Sequence, residues 1–143
     1  MSAEEQLAGF LARYAPDIAE RTEAVLERMR ARLPGAVELV YDNYNALVIG
    51  FGPSERASDA TLSVAVYPHW LRLCFLRGVE LRDPGHLLEG DGKQVRTALL
   101  ESADALGPLD DLIAQAVRQM PAWDADRPRR MVIKSVAAKQ RAR

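Results

Sequence analysis

Between residues 37 and 100 the chain alternates short apolar runs with turn-forming dipeptides, and this is the feature that most constrains its fold. Residues 37–42, 46–51, 61–67, 69–76 and 94–100 carry period-2 patterns, as half-buried strands do. Asn43-Tyr44-Asn45, Gly52-Pro53 and Asp83-Pro84-Gly85 separate or follow these runs with turn chemistry. On either side the period is helical. Leu7, Phe10, Leu11 and Tyr14 share one face of a helix predicted over residues 6–14. Ile18, Thr22, Val25, Leu26 and Met29 form the inward stripe of a second helix over 17–33, which Pro34-Gly35 stops. Pro108 and Asp110-Asp111 open a third, over 108–120, with Leu109, Leu112, Ile113, Ala116, Val117 and Met120 inward.

Helix, helix, consecutive strands, helix is an α+β order. Strands joined by short links are antiparallel neighbours, so the expectation is a single five-stranded, mostly antiparallel sheet with the helices on one face. A domain over residues 1–120 followed by a tail over 121–143 completes the division.

Strand parity then predicts which face is free. Val37, Leu39, Tyr41, Leu47, Ile49, Phe51, Leu62, Val64, Val66, Leu71, Leu73, Phe75, Val95, Thr97 and Leu99 form the larger, more apolar set, and are expected under the helices. The opposite set is small or polar, apart from Trp70. Trp70, Arg72, Gln94 and Arg96 are therefore the expected binding residues of an open sheet face, since Trp and Arg are enriched where partners dock.

Charge adds a second asymmetry. The 143 residues carry a net −1, yet residues 127–143 hold seven Lys or Arg and no acid. That stretch is +7 and residues 1–126 are −8. Nucleic-acid contact through this tail is an alternative reading, not the favoured one, because the cations lack interleaved aromatics. Met131-Val132-Ile133 within the tail has the composition of a short docking strand.

The segments Tyr41 to Gly52, Leu73 to Gly78, Leu81 to Pro84 and Leu87 to Arg96 resemble the DUF1801, or YdhG-like, family, over roughly residues 5–120. The resemblance implies a compact α+β domain related to the frataxin-like fold, with an antiparallel sheet and helices on one face. It also implies a second functional alternative, an iron-binding protein serving iron–sulfur assembly. Glu4, Glu5, Glu20, Glu23, Glu27, Glu38 and Asp42 are the acids in the corresponding region, with arginines interleaved.

Catalytic constellations are weak. Gly90-Asp91-Gly92-Lys93 is followed by Gln94 rather than the Ser or Thr of a phosphate loop, and reads as a turn. Asp83, His86, Glu89 and Asp91 lie in a turn-rich segment and read as solvated loop residues. Cys74, the only cysteine, excludes an internal disulfide and reads as packing. Tyr41, Asn43 and Tyr44 are candidates for ligand contact at a strand end. The resulting expectation is a non-enzymatic interaction module with a protein partner, no cofactor, no metal and no catalytic residue. The acidic start of the chain and the absence of a spanning apolar run point to the cytoplasm and away from membranes.

Overall fold

A computed structural model describes residues 1–143. Helix α1 (Ala3–Leu11) starts three residues before the periodicity suggests. Ser2 and Glu5 form a reciprocal capping box, each backbone N–H donating to the other side chain at 3.1 Å. Helix α2 (Pro16–Arg32) has proline in its first turn and buries the five residues of the expected stripe. Six strands follow: β1 (Val37–Asp42), β2 (Leu47–Gly52), β3 (Leu62–Val66), β4 (Leu71–Phe75), β5 (Arg96–Leu99) and β6 (Arg130–Val136). Between β5 and β6 a 3-10 turn (Ala103–Leu109) containing Pro108 leads into helix α3 (Asp110–Arg118). No helix is long and apolar enough to cross a membrane.

The sheet order is β5-β4-β3-β2-β1-β6. Neighbours from β5 through β1 are antiparallel, and β6 lies parallel to β1. The sheet therefore has six strands rather than five, and the stretch read as an appended tail supplies the sixth. The run Met131-Val132-Ile133 lies in its first half, and Met131 is buried in the main core.

Register decides the faces. Leu47, Ile49 and Phe51 of β2, Leu62, Val64 and Val66 of β3, and Leu71, Leu73 and Phe75 of β4 meet the helices, as their parity requires. The parity of β1 is reversed. Val40 stands opposite Ile49, Glu38 opposite Phe51 and Asp42 opposite Leu47, so two acids enter the helix side of the sheet. Both are almost completely buried, at 1% and 0% exposure. A buried carboxylate must be paired, and each has an arginine. Arg30 of α2 grips Glu38 through Nε and Nη2, at 2.8–3.1 Å, and Arg129 adds Nη1 at 3.1 Å. Arg143 donates Nη1 to Asp42 Oδ1 and Nη2 to the Asn43 carbonyl. With the acids neutralised on the helix side, Val37 and Leu39 fall on the other face. There they pack with Ala60 of the β2–β3 connector, beside Tyr41 and Val132.

Strand β5 is also reversed. Ala98 pairs with Leu73 on the helix side, and Leu100 just beyond it is buried in the same core. Thr97 and Leu99 project to the opposite face. Arg96, opposite Phe75, belongs to the helix side at the sheet edge.

Candidate functional site

The face away from the helices is uncovered over part of its area. One cross-strand row runs Tyr41, Val48, Ala65, Arg72, Leu99, each residue paired with the next in the ladder. A second runs Leu39, Gly50, Ser63, Cys74, Thr97. At the β1 end the 53–60 connector lies across this surface through Ala60, and Leu39 is only 1% exposed. Towards the β4–β5 end the small residues Ser63 and Ala65 are buried beneath their neighbours, and the larger side chains stand out. Trp70 is 42% exposed and Leu99 41%.

The β3–β4 turn aims the aromatic residues. The Tyr67 N–H donates to the Trp70 carbonyl at 2.9 Å, closing the hairpin. Their rings then stack, with centroids 5.6 Å apart and planes 29° from parallel. Such offset stacks restrict both side chains while leaving an outer π face for contact. Arg72 extends the patch. Its Nη1 donates to Glu89 Oε2 at 2.7 Å and to Thr97 Oγ1 at 3.2 Å, and its side chain is 30% exposed. Small residues at Gly50, Ser63 and Ala65 keep the surface between the strands low.

Of the four residues expected together, Trp70 and Arg72 share this face and the other two do not. Gln94 lies before β5 in the loop. Arg96 lies on the helix side, its stem packed close to Gly78 and its Nη1 donating to the Gly92 and Val95 carbonyls at 2.7 and 2.8 Å. The parity reversal of β5 moves Arg96 off the face and puts Leu99 on it. Tyr67 and Leu99 are the members that sequence reasoning missed, whereas Val48 lies where the β2 parity puts it. For Tyr67 a signal was present: Tyr67 and Trp70 flank a two-residue turn, the spacing of a cross-strand pair.

Tyr41, Asn43 and Tyr44 are spread along the β1–β2 hairpin. Tyr41 is half-buried on the uncovered face, and Tyr44 is exposed at the turn. Asn43 closes the hairpin, its N–H donating to the Ala46 carbonyl at 3.0 Å and its own carbonyl accepting from Arg143.

The reactive groups have other roles. Burial pushes the Cys74 thiol up from its ordinary range, against weaker lowering by a hydrogen bond with Ser63 and by the Arg72 charge. This is the opposite of an activated thiolate. Asp83 accepts from the backbone N–H groups of Leu87 and Leu88, both at 2.9 Å, and shapes the loop in which His86 adopts a left-handed φ of 52°. Glu89 is held by Arg72. No three Asp, Glu, His or Cys side chains are gathered in a metal-binding arrangement. Five of the seven tail cations, Arg127, Arg129, Arg130, Lys134 and Arg143, bond to the body of the protein.

The chain matches no protein-family model, no curated protein and no solved structure.

Proposed function

We propose that this protein is a non-enzymatic interaction module of the YdhG-like kind, and that it takes a protein partner on the uncovered end of its sheet. The observation that carries this reading is the Tyr67–Trp70 stack standing exposed beside Arg72 and Leu99. Exposed Trp next to Arg is the composition of binding hot spots. None of the four larger clefts of the molecule is lined by Tyr67, Trp70, Arg72 or Leu99, so these residues suit a protein surface better than an enclosed small molecule. Arg72 is fixed by Glu89 and Thr97, so little side-chain entropy is lost when it is covered. A partner offering apolar side chains and an acceptor for Arg72 fits this chemistry.

The iron alternative loses two of its acids, since Glu38 and Asp42 are buried against arginines. The nucleic-acid alternative loses three of its seven charges to ion pairs, Arg129 with Glu38, Arg130 with Glu55 and Arg143 with Asp42.

The test is site-specific photo-crosslinking in cells. With benzoylphenylalanine at Leu99, a discrete protein adduct is expected. It should disappear in a Trp70→Ala background, because loss of a hot-spot Trp costs about 2 kcal/mol or more of binding. The same probe at Arg118, exposed on α3, should give no such adduct. An identical adduct from both positions, or one that survives Trp70→Ala, would exclude this surface.

A further inference from the structure

A cleft of about 710 Å³ opens where the connector after β2 passes the segment leading into β6. Four arginines line it, Arg56, Arg127, Arg129 and Arg130, with Glu55 as the one lining carboxylate and Val37 and Pro128 as the apolar lining residues. The lining charge is thus +3, within a chain whose first 126 residues sum to −8. Charge of that density on an otherwise acidic protein focuses field on a single site.

The arginines are held in place by the fold. Arg127 donates Nε to the Gly35 carbonyl at 2.7 Å and Nη2 to the Pro53 carbonyl. Arg129 is anchored through Nη1 on buried Glu38, which Arg30 already holds by two nitrogens. Arg130 pairs with Glu55, and Arg56 donates Nε to Ser58 Oγ at 3.0 Å. These contacts leave at least one guanidinium nitrogen of every arginine without a protein acceptor. Anchored guanidinium forks with free N–H groups match the oxygens of phosphoryl groups in bidentate fashion. No aromatic side chain lines the cleft, so nothing there would stack a nucleobase.

We infer that this cleft is a binding site for a small, multiply charged phosphoryl compound, recognised through its phosphoryl oxygens. The site is separate from the aromatic sheet face and from the tail cations Lys139 and Arg141.

Calorimetric titration of the full chain with pyrophosphate, at near-physiological salt, tests it. One saturable site per chain is expected, accompanied by a ligand-dependent rise in melting temperature. Arg56→Gln with Arg130→Gln, both exposed positions, should weaken binding at least about ten-fold, since two charge-assisted contacts are lost. Arg56→Lys with Arg130→Lys should fall between, having charge but no fork. Lys139→Gln with Arg141→Gln should leave affinity unchanged. Citrate should bind more weakly than pyrophosphate. Absence of saturation, equal weakening by the Lys139 and Arg141 changes, citrate binding as tightly, or tighter binding of an oligonucleotide with the same number of phosphates would each overturn the assignment.

Discussion

A chain ending at Asp126 is expected to lose its cooperative melting transition. Removing residues 127–143 deletes β6 and its parallel ladder, which pairs along the whole of β1 from Val37 to Asp42. It turns β1 from an internal strand into an unprotected edge, a template for aggregation. It removes Met131 and Ile133 from the core, at about 2–3 kcal/mol for a fully buried apolar side chain such as Met131. It strips Asp42 of its only arginine and leaves Glu38 with Arg30 alone. An unpartnered buried charge costs about 3–5 kcal/mol. It also removes Arg127, which ties the Gly35 turn to Pro53. Against a total stability of about 5–15 kcal/mol, these losses are enough to abolish the native state. Circular dichroism melting and dye binding check this. A sharp transition within a few degrees of the full chain would show that the sheet is complete without β6.

Arg143→Ala isolates the largest single contribution within that deletion. The Arg143 side chain is 1% exposed and Asp42 is 0% exposed, so neither has water to fall back on. The guanidinium carbon lies 4.9 Å from the Tyr14 ring centroid, a cation–π contact. Tyr14 in turn donates its hydroxyl to the Val66 carbonyl at 2.9 Å and accepts from the Leu47 N–H at 3.2 Å. Burial pushes the Tyr14 phenol up, partly offset by the Arg143 charge. Arg143→Ala should therefore cost about 3–5 kcal/mol, as removal of one member of a buried pair does. Asp42→Asn added to Arg143→Ala should recover part of that loss. Asp42→Leu with Arg143→Leu should approach wild type, because the native pair is itself incompletely satisfied. Asp42 Oδ2 and Arg143 Nε are buried without partners. Urea unfolding of wild type, Arg143→Ala, Asp42→Asn and the Asp42→Asn/Arg143→Ala variant measures the coupling, with the double-leucine variant alongside. A loss below about 1 kcal/mol for Arg143→Ala would mean that the pair adds nothing beyond a surface contact.

Parity predicted the helix side correctly for β2, β3 and β4, where a large apolar residue occupies every inward position. It failed for β1 and β5, and for a physical reason in each case. In β1 the apolar residues Val37, Leu39 and Tyr41 outnumber Val40 on the opposite parity. Counting hydrophobics cannot reveal that Arg30, Arg129 and Arg143 will converge to neutralise Glu38 and Asp42. Those partners are up to about a hundred residues away in sequence. In β5 the inward residue is the small Ala98, and Leu99 is left outside. The sixth strand was visible only as Met131-Val132-Ile133. Its parallel pairing with β1 requires a crossover through α3, which local patterning does not report. The site was half legible. Trp70 and Arg72 follow from the reliable parity of β4, whereas Gln94 and Arg96 depended on β5 and went elsewhere.

A partner can dock at the Trp70 end of the sheet only if that end is uncovered in the free protein, where Trp70 is 42% exposed. Acrylamide quenching of fluorescence in a Trp123→Phe background addresses it directly, because Trp70 is then the only indole. Red-shifted emission with strong quenching is expected from a side chain that is 42% exposed. Blue-shifted emission that resists acrylamide would mean that the face is already covered, and would contradict the account.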